Sequence, residues 1–228
     1  MTTQPWRNTT HDWAVGVDVA HLTAIRHNPA VFAPTGAIHL ALEVLAYVAD
    51  EAACGHVGRC LVSLFTDGSI SIADDGRGTE VHRDPNGHVV KKPVLSSRDL
   101  RFFDSPQEQS LPDGYPRRGM SVVTALSEWL MHVNRRENGA WSQRYEHGVP
   151  VTDLAPTSDD DTTGTTIHFL PVSRLPGRQI DLGEISRLAD AWEHLDVEIR
   201  DHCASARASI RPTSSVQVRQ GGSRGDVL

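Results

Sequence analysis

Cysteine, net positive charge and long apolar runs are all scarce in this chain, and each shortage removes a class of function. Three cysteines among 228 residues, Cys54, Cys60 and Cys203, form no even framework and no metal-type spacing. They exclude a disulfide scaffold and point to reduced thiols in a cytoplasmic protein. Lys and Arg number 22 against 29 Asp and Glu, a net charge of -7. The chain therefore has no electrostatic footprint for nucleic acid, and direct DNA binding is not expected. No stretch approaches the apolar length of a membrane span, and the start MTTQPWRNTTHDW lacks the apolar centre of a signal peptide. Histidine is plentiful at 12, but the residues are scattered from His11 to His202 without H-E-x-x-H or related spacing, which marks surface histidines and no metal site.

What is present suggests one core with a small appendage. The first 20 residues read as an N-terminal arm, with order beginning near VDVAHLTAIRHNPAVF. From Ala37 to Ala53 the spacing predicts a helix with Ile38, Leu42, Leu45, Ala49 and Ala52 on its core stripe and Glu43, Tyr47 and Asp50 together on a neighbouring one. Two β-rich runs flanking Asp67-Gly68 predict a hairpin. Residues 79–119 are polar and punctuated by Pro and Gly, too long for an inert connection, and are expected to form a lid. MSVVTALSEWLMHV predicts a helix with Val122, Val123, Leu126, Trp129 and Leu130 inward. A second hairpin is expected around Asn138-Gly139, then a strand at GTTIHFLP, a helix at DLGEISRLADAWEHL and a short strand at VEIRD. Residues 203–228 are rich in Ser, Arg and Gly and are expected to be a disordered tail. The order implies one α+β domain over 21–202, a two-layer sandwich of a mixed, mainly antiparallel sheet with helices on one face.

The stretch IADDGRGTEV carries the clearest chemical signal. Asp74 and Asp75 are consistent with a metal site, an acid/base pair, a solvated turn, or a reader of hydrogen-bond donors at the end of a strand. A shared metal is disfavoured because consecutive strand residues point to opposite faces.

Six segments, LTAIRHNPAVF, LEVLAYVADEAACGH, ISIADDGRG, GMSVVTALS, RYEHGVP and TGTTIHFLP, resemble in order and spacing the N-terminal ATP-binding domain of the DNA gyrase B protein. That domain belongs to the GHKL superfamily, with topoisomerase IV, heat-shock chaperones and histidine kinases. The resemblance implies the Bergerat ATP-binding fold over about Leu22–Asp201 and ATP as the ligand. By its motif, Asp74 would accept from the adenine exocyclic amine, Thr165 would support that carboxylate, and Gly76 and Gly78 would let the backbone approach the base. Arg77 would pair with Glu51 over the adenine face, and Glu43 would be the general base.

The phosphate end departs from the pattern. Tyr47 stands where the family has an asparagine that helps hold Mg²⁺, and Ala46 precedes it, which argues against a bound ion. In the phosphate loop DGYPRRGMS, Gly114 and Gly119 match, while Pro116, Arg117 and Arg118 replace the middle. Pro removes a donor. Arg117 and Arg118 are instead expected to offer side-chain charge to phosphates. The family's transducer domain, with the lysine needed for hydrolysis, and the DNA-cleaving parts are not expected in this chain. Two functions follow. One is a gyrase B-like ATP-binding module, with an adenine nucleotide and a protein partner or second copy as ligands. The alternative is a degenerate pseudo-ATPase serving as a nucleotide-responsive or purely interacting surface.

Overall fold

The computed structural model describes residues 11, 16–54, 58–83, 86, 89–103, 109–137, 139–158, 160–177 and 180–203. Most of the expected arm, Asn138 of the expected second turn, and the tail after Cys203 lie outside them.

In chain order the elements are α1 (Val19–His27), α2 (Pro29–Phe32), α3 (Ala37–Ala52), β1 (Gly58–Leu64), β2 (Ile70–Asp74), β3 (Val81–Arg83), β4 (Val89–Lys91), α4 (Leu100–Phe103) and α5 (Met120–Ala125). They continue as β5 (Ser127–Arg136), β6 (Gly139–Glu146), β7 (Val149–Pro150), β8 (Ala155–Pro156), β9 (Gly164–Pro171), α6 (Leu182–Ala189) and β10 (Leu195–Asp201). The eight-stranded sheet runs β10-β1-β2-β9-β5-β6-β7, with β8 also on β6, and β3-β4 form a separate pair. The β1–β10 pairing is parallel, and the other pairings of this sheet are antiparallel. This is the expected α+β architecture.

Period-two alternation decides which residues face the helices. Leu64, Ile70, Phe169 and Leu130 stand in register across four strands, and Val62, Ile72, Ile167 and His132 form the next row. Each apolar member contributes roughly 1.5–3 kcal/mol when fully buried. Helix α3 lies over β1 and β2 and touches α5 and α6 at its sides. It is therefore buried nearly all round, with Leu40, Leu42 and Leu45 at 0% exposure, beyond the single apolar stripe expected from spacing.

One expected element is shorter than its pattern. The helix over 120–133 stops at Ala125, and Ser127 begins a ten-residue strand. Val122, Val123 and Leu126 are inward as expected, but Trp129 and Leu130 belong to β5. Thr124 and Ser127 hydroxyls donate to the carbonyls of Met120 and Val123, four residues back, a bond that competes with helix continuation. The sheet supplies the rest of the cause, since β5 pairs with β6 on one side and β9 on the other. The last helix likewise ends at Ala189, capped at its start by Asp181. Among the described residues no helix is long and apolar enough to cross a membrane, and Cys54 and Cys60 are free thiols.

Candidate functional site

Strand β2 ends at Asp74, whose side chain shares the helix-facing side with Ile70 and Ile72. Its Oδ1 accepts backbone N–H groups from Gly76 at 2.9 Å and Thr165 at 3.1 Å. Its Oδ2 has no hydrogen-bond partner among the described residues. Burial pushes this carboxyl up to about 6 against the pull of the two N–H bonds, and the nearby Glu51 and Asp75 charges add to the rise. Asp75 turns away to accept from the Arg59 backbone N–H at 2.9 Å. The two adjacent acids therefore do not share a site.

The turn after Asp74 is clamped from two sides. Glu51, on the last turn of α3, accepts from the Arg77 backbone N–H at 2.9 Å and from its Nε at 2.8 Å. The Arg77 side chain is 80% exposed, so this pair positions the loop more than it stabilises the fold. Buried Asn134 on β5 accepts from the Thr79 N–H at 2.5 Å and donates to the Thr79 carbonyl. Between these clamps Gly78 has φ +76°, and an added Cβ would stand 2.5 Å from the Arg135 carbonyl oxygen. Only glycine fits there.

Asp74, Glu51, Arg77, Gly78, Thr165 and Tyr47 line one cavity of about 350 Å³, whose apolar walls include Val44, Val94, Leu95, Met120 and Ile167. Gly76 contributes its N–H to Asp74 from outside this lining. A cavity with apolar walls and one half-satisfied carboxylate can hold a flat heterocycle and test it for a hydrogen-bond donor.

Of the residues expected at the phosphate end, Tyr47 lines this cavity, and Glu43, Gly114, Arg117, Arg118 and Gly119 do not. Glu43 is at 0% exposure. Its two oxygens accept the backbone N–H groups of Arg118 at 2.5 Å and Gly119 at 2.8 Å. The Arg117 guanidinium is buried and bidentate on Asp50, at 3.0 and 2.9 Å, with its carbon 4.8 Å from the Tyr47 ring centre and 4.6 Å from that of Phe102. The Arg118 side chain donates to the Phe102 carbonyl at 3.2 Å. Tyr47 donates to Asp99 at 2.7 Å, and Asp99 also takes Arg101 through Nε and a terminal nitrogen. Burial pushes the Asp99 carboxyl up, but Arg101 and the Tyr47 hydroxyl outweigh it and hold it below the usual range. Gly119 has φ +90° and would bring a Cβ within 3.1 Å of the Tyr47 hydroxyl, whereas Gly114, at φ +84°, stands in open space.

Mg²⁺ does not fit these donors. Glu43 faces backbone N–H groups, Asp50 faces Arg117, and Asp99 faces Arg101 and Tyr47, so each candidate oxygen already has a donor. Among the described residues no group of three or more His, Cys, Asp or Glu could hold a metal ion.

Four contributors are invisible in the motifs. Asp99 and Arg101 lie in the weakly periodic segment 79–119, and only the fold brings them to Tyr47. His132 occupies the end of an otherwise apolar row and lines the cavity, with both ring nitrogens unpartnered among the described residues. Burial and the Lys91 charge hold it well below the ordinary imidazole range, so it is neutral. His39, one turn before Glu43, bonds Asp113 at 2.7 Å and lies 3.6 Å from Glu43.

Burial pulls His39 down, but the bond to Asp113 and the Glu43 carboxylate 3.6 Å away prevail and raise it to about 9. Because this folded value lies above the unfolded 6.5, the stabilisation is complete below pH 6.5 and disappears as pH rises through 9. The expected loss is about 3 kcal/mol. It is read as wild type minus His39→Gln in urea midpoints at low and high pH. The difference is required because half-buried Lys91, held well below its ordinary range by desolvation, changes stability in the opposite sense. Parallel profiles for the two proteins would show that His39 is not the charged partner.

No family model matches the chain. It is 33% identical over 155 residues to the DNA gyrase B protein of Thermotoga maritima, covering 66% of this chain and 24% of that protein. It is 35% identical over 163 residues to the DNA gyrase B protein of Haloferax volcanii, covering 66% and 25%. It is 32% identical over 155 residues to the DNA topoisomerase 4 B protein of Bacillus subtilis, covering 66% and 24%. The chain thus spans about a quarter of the length of these relatives. Two-thirds of the chain, carried on the α+β fold described above, is gyrase B-like in sequence.

Proposed function

We propose that the chain is an adenine-nucleotide-binding domain of the gyrase B-like type, which holds the base against Asp74 and does not turn ATP over by itself. The observation that carries this reading is the Asp74 carboxylate. It is half-buried in the wall of a cavity with an apolar side, with one oxygen fixed by two backbone N–H groups and the other without a described partner. Adenine presents an exocyclic amine there, where guanine presents a carbonyl oxygen. A fixed, half-buried acceptor therefore favours adenine. Thr165 and Gly76 position the carboxylate, and Gly78, Arg77 and Glu51 shape the turn beside the base. ATP, named for this chain by its resemblance, and a protein partner or second copy belong to the same reading.

Binding without turnover is supported by Glu43. Its carboxylate lies outside the cavity lining, and both of its oxygens, which a general base would turn toward a water, are taken up by the N–H groups of residues 118 and 119. We assign no step to a metal ion.

Calorimetric titration with adenosine, ATP and guanosine across pH tests the base assignment. The acceptor is the ionised Asp74, whose carboxyl titrates near 6 in the free protein. Adenosine affinity is therefore expected to be level above neutrality and to fall toward about tenfold per pH unit below the carboxyl's own value. A flat wild-type profile, or equal binding of adenosine and guanosine, would remove Asp74 from the contact.

A further inference from the structure

We infer that the cavity recognises the adenosine moiety alone, so that phosphates add no affinity and a nucleoside or nucleoside monophosphate is held at least as well as a triphosphate. This deepens the adenine assignment and rests on it.

The first support is size. The cavity measures about 350 Å³, at the small end of pockets that enclose a small molecule. Tyr47 is part of its wall, with its hydroxyl bonded to Asp99 and the Arg117 guanidinium carbon 4.8 Å from its ring centre. The segment 114–119 does not line the cavity.

The second is charge. Asp50, Glu51, Asp74 and Glu80 line the cavity together with Arg77, Lys92 and Arg101. Two of the three cations are already engaged, Arg77 by Glu51 and Arg101 by Asp99 and Asp50. A triphosphate would bring several negative charges to a wall with more acids than bases, and it would have to draw Arg101 or Arg77 off a carboxylate that then stands unpaired.

The third is the state of the donors that could cradle phosphate. The Arg118 and Gly119 N–H groups end on Glu43, and Pro116 has none. Arg117 holds Asp50 bidentately, with its own side chain 5% exposed. A phosphate chain leaving the ribose would meet the closed Tyr47–Arg117–Asp50 cluster and turn to solvent.

The test is titration of the full chain with adenosine, AMP and ATP, each with Mg²⁺ and with chelator. The three are expected to bind within about threefold of one another in both conditions, a spread under 1 kcal/mol. A tenfold or greater preference for ATP over adenosine, or an ATP affinity that collapses in chelator, overturns the inference while leaving the adenine assignment intact. Absence of binding by all three, or binding matched by guanosine, overturns both. Asp50→Asn weakens the hold on Arg117 and is expected to raise the ATP-to-adenosine affinity ratio by about threefold or more. An unchanged ratio would show that the Arg117–Asp50 pair is not what excludes the phosphates.

Discussion

Replacing Asp74 by asparagine is expected to weaken adenosine and ATP alike by about 1.5–3 kcal/mol, the range for a hydrogen bond to a charged group, or roughly 10- to 150-fold in affinity. The substitution is close to isosteric. The new amide oxygen can still accept from Gly76 and Thr165, which hold Oδ1 in the wild type, so the turn should survive. What changes is the group offered to the ligand, since an amide NH₂ in place of Oδ2 opposes a donor with a donor. The same NH₂ suits the guanine carbonyl, and guanosine should gain relative to adenosine. Calorimetry on both nucleosides reads the exchange directly. Unchanged adenosine binding in a folded Asp74→Asn protein would place the ligand elsewhere.

The second large effect concerns Glu43, which is expected to behave as a structural residue. Glu43→Ala removes the acceptor of two backbone N–H groups and one of the two carboxylates around the raised His39 imidazole. Breaking a buried charged arrangement from one side costs about 3–5 kcal/mol, a large part of the roughly 5–15 kcal/mol that holds a domain together. The urea midpoint should fall accordingly, without any change in phosphate release, which is expected at the uncatalysed level in wild type and variant alike. A general base contributes only about 10²–10⁴-fold even when placed against a water. Most of the acceleration in phosphoryl transfer comes from positioning and from cations on the developing charge, and here the nearby arginines are held by Asp50 and Asp99. Brisk phosphate release that vanishes in Glu43→Ala, with stability unaltered, would contradict this account and restore Glu43 as a base.

Local chemistry made much of the fold legible. Asp67-Gly68 marked the β1–β2 turn because a tight hairpin demands residues of that type, and Gly68 does have φ +85°. Alternation marked β9, and 3.6-residue spacing marked α3. The pattern misled where two environments share one run of residues. Val122, Val123, Leu126, Trp129 and Leu130 fit a continuous helical stripe, yet only the first part is helical, because pairing with β6 and β9 on both sides outweighs helix propensity beyond Ser127.

The sequence by itself determined the strand end at Asp74, the glycine turn after it and the core stripe of α3, because these depend on residues a few positions apart whose geometry follows from backbone periodicity, while the pairing of Glu51 on α3 with Arg77 in the turn was implied by the resemblance. It also determined that the phosphate end is unusual, since Tyr47, Pro116, Arg117 and Arg118 are visible as letters. Only the tertiary structure decided what those letters do. Arg117 finds Asp50 across 67 positions, Tyr47 finds Asp99 across 52, and Glu43 meets the 118–119 backbone across 75 and 76. Contacts of that separation leave no local period, and the destination of a long flexible cation depends on which buried carboxylate the fold delivers to it.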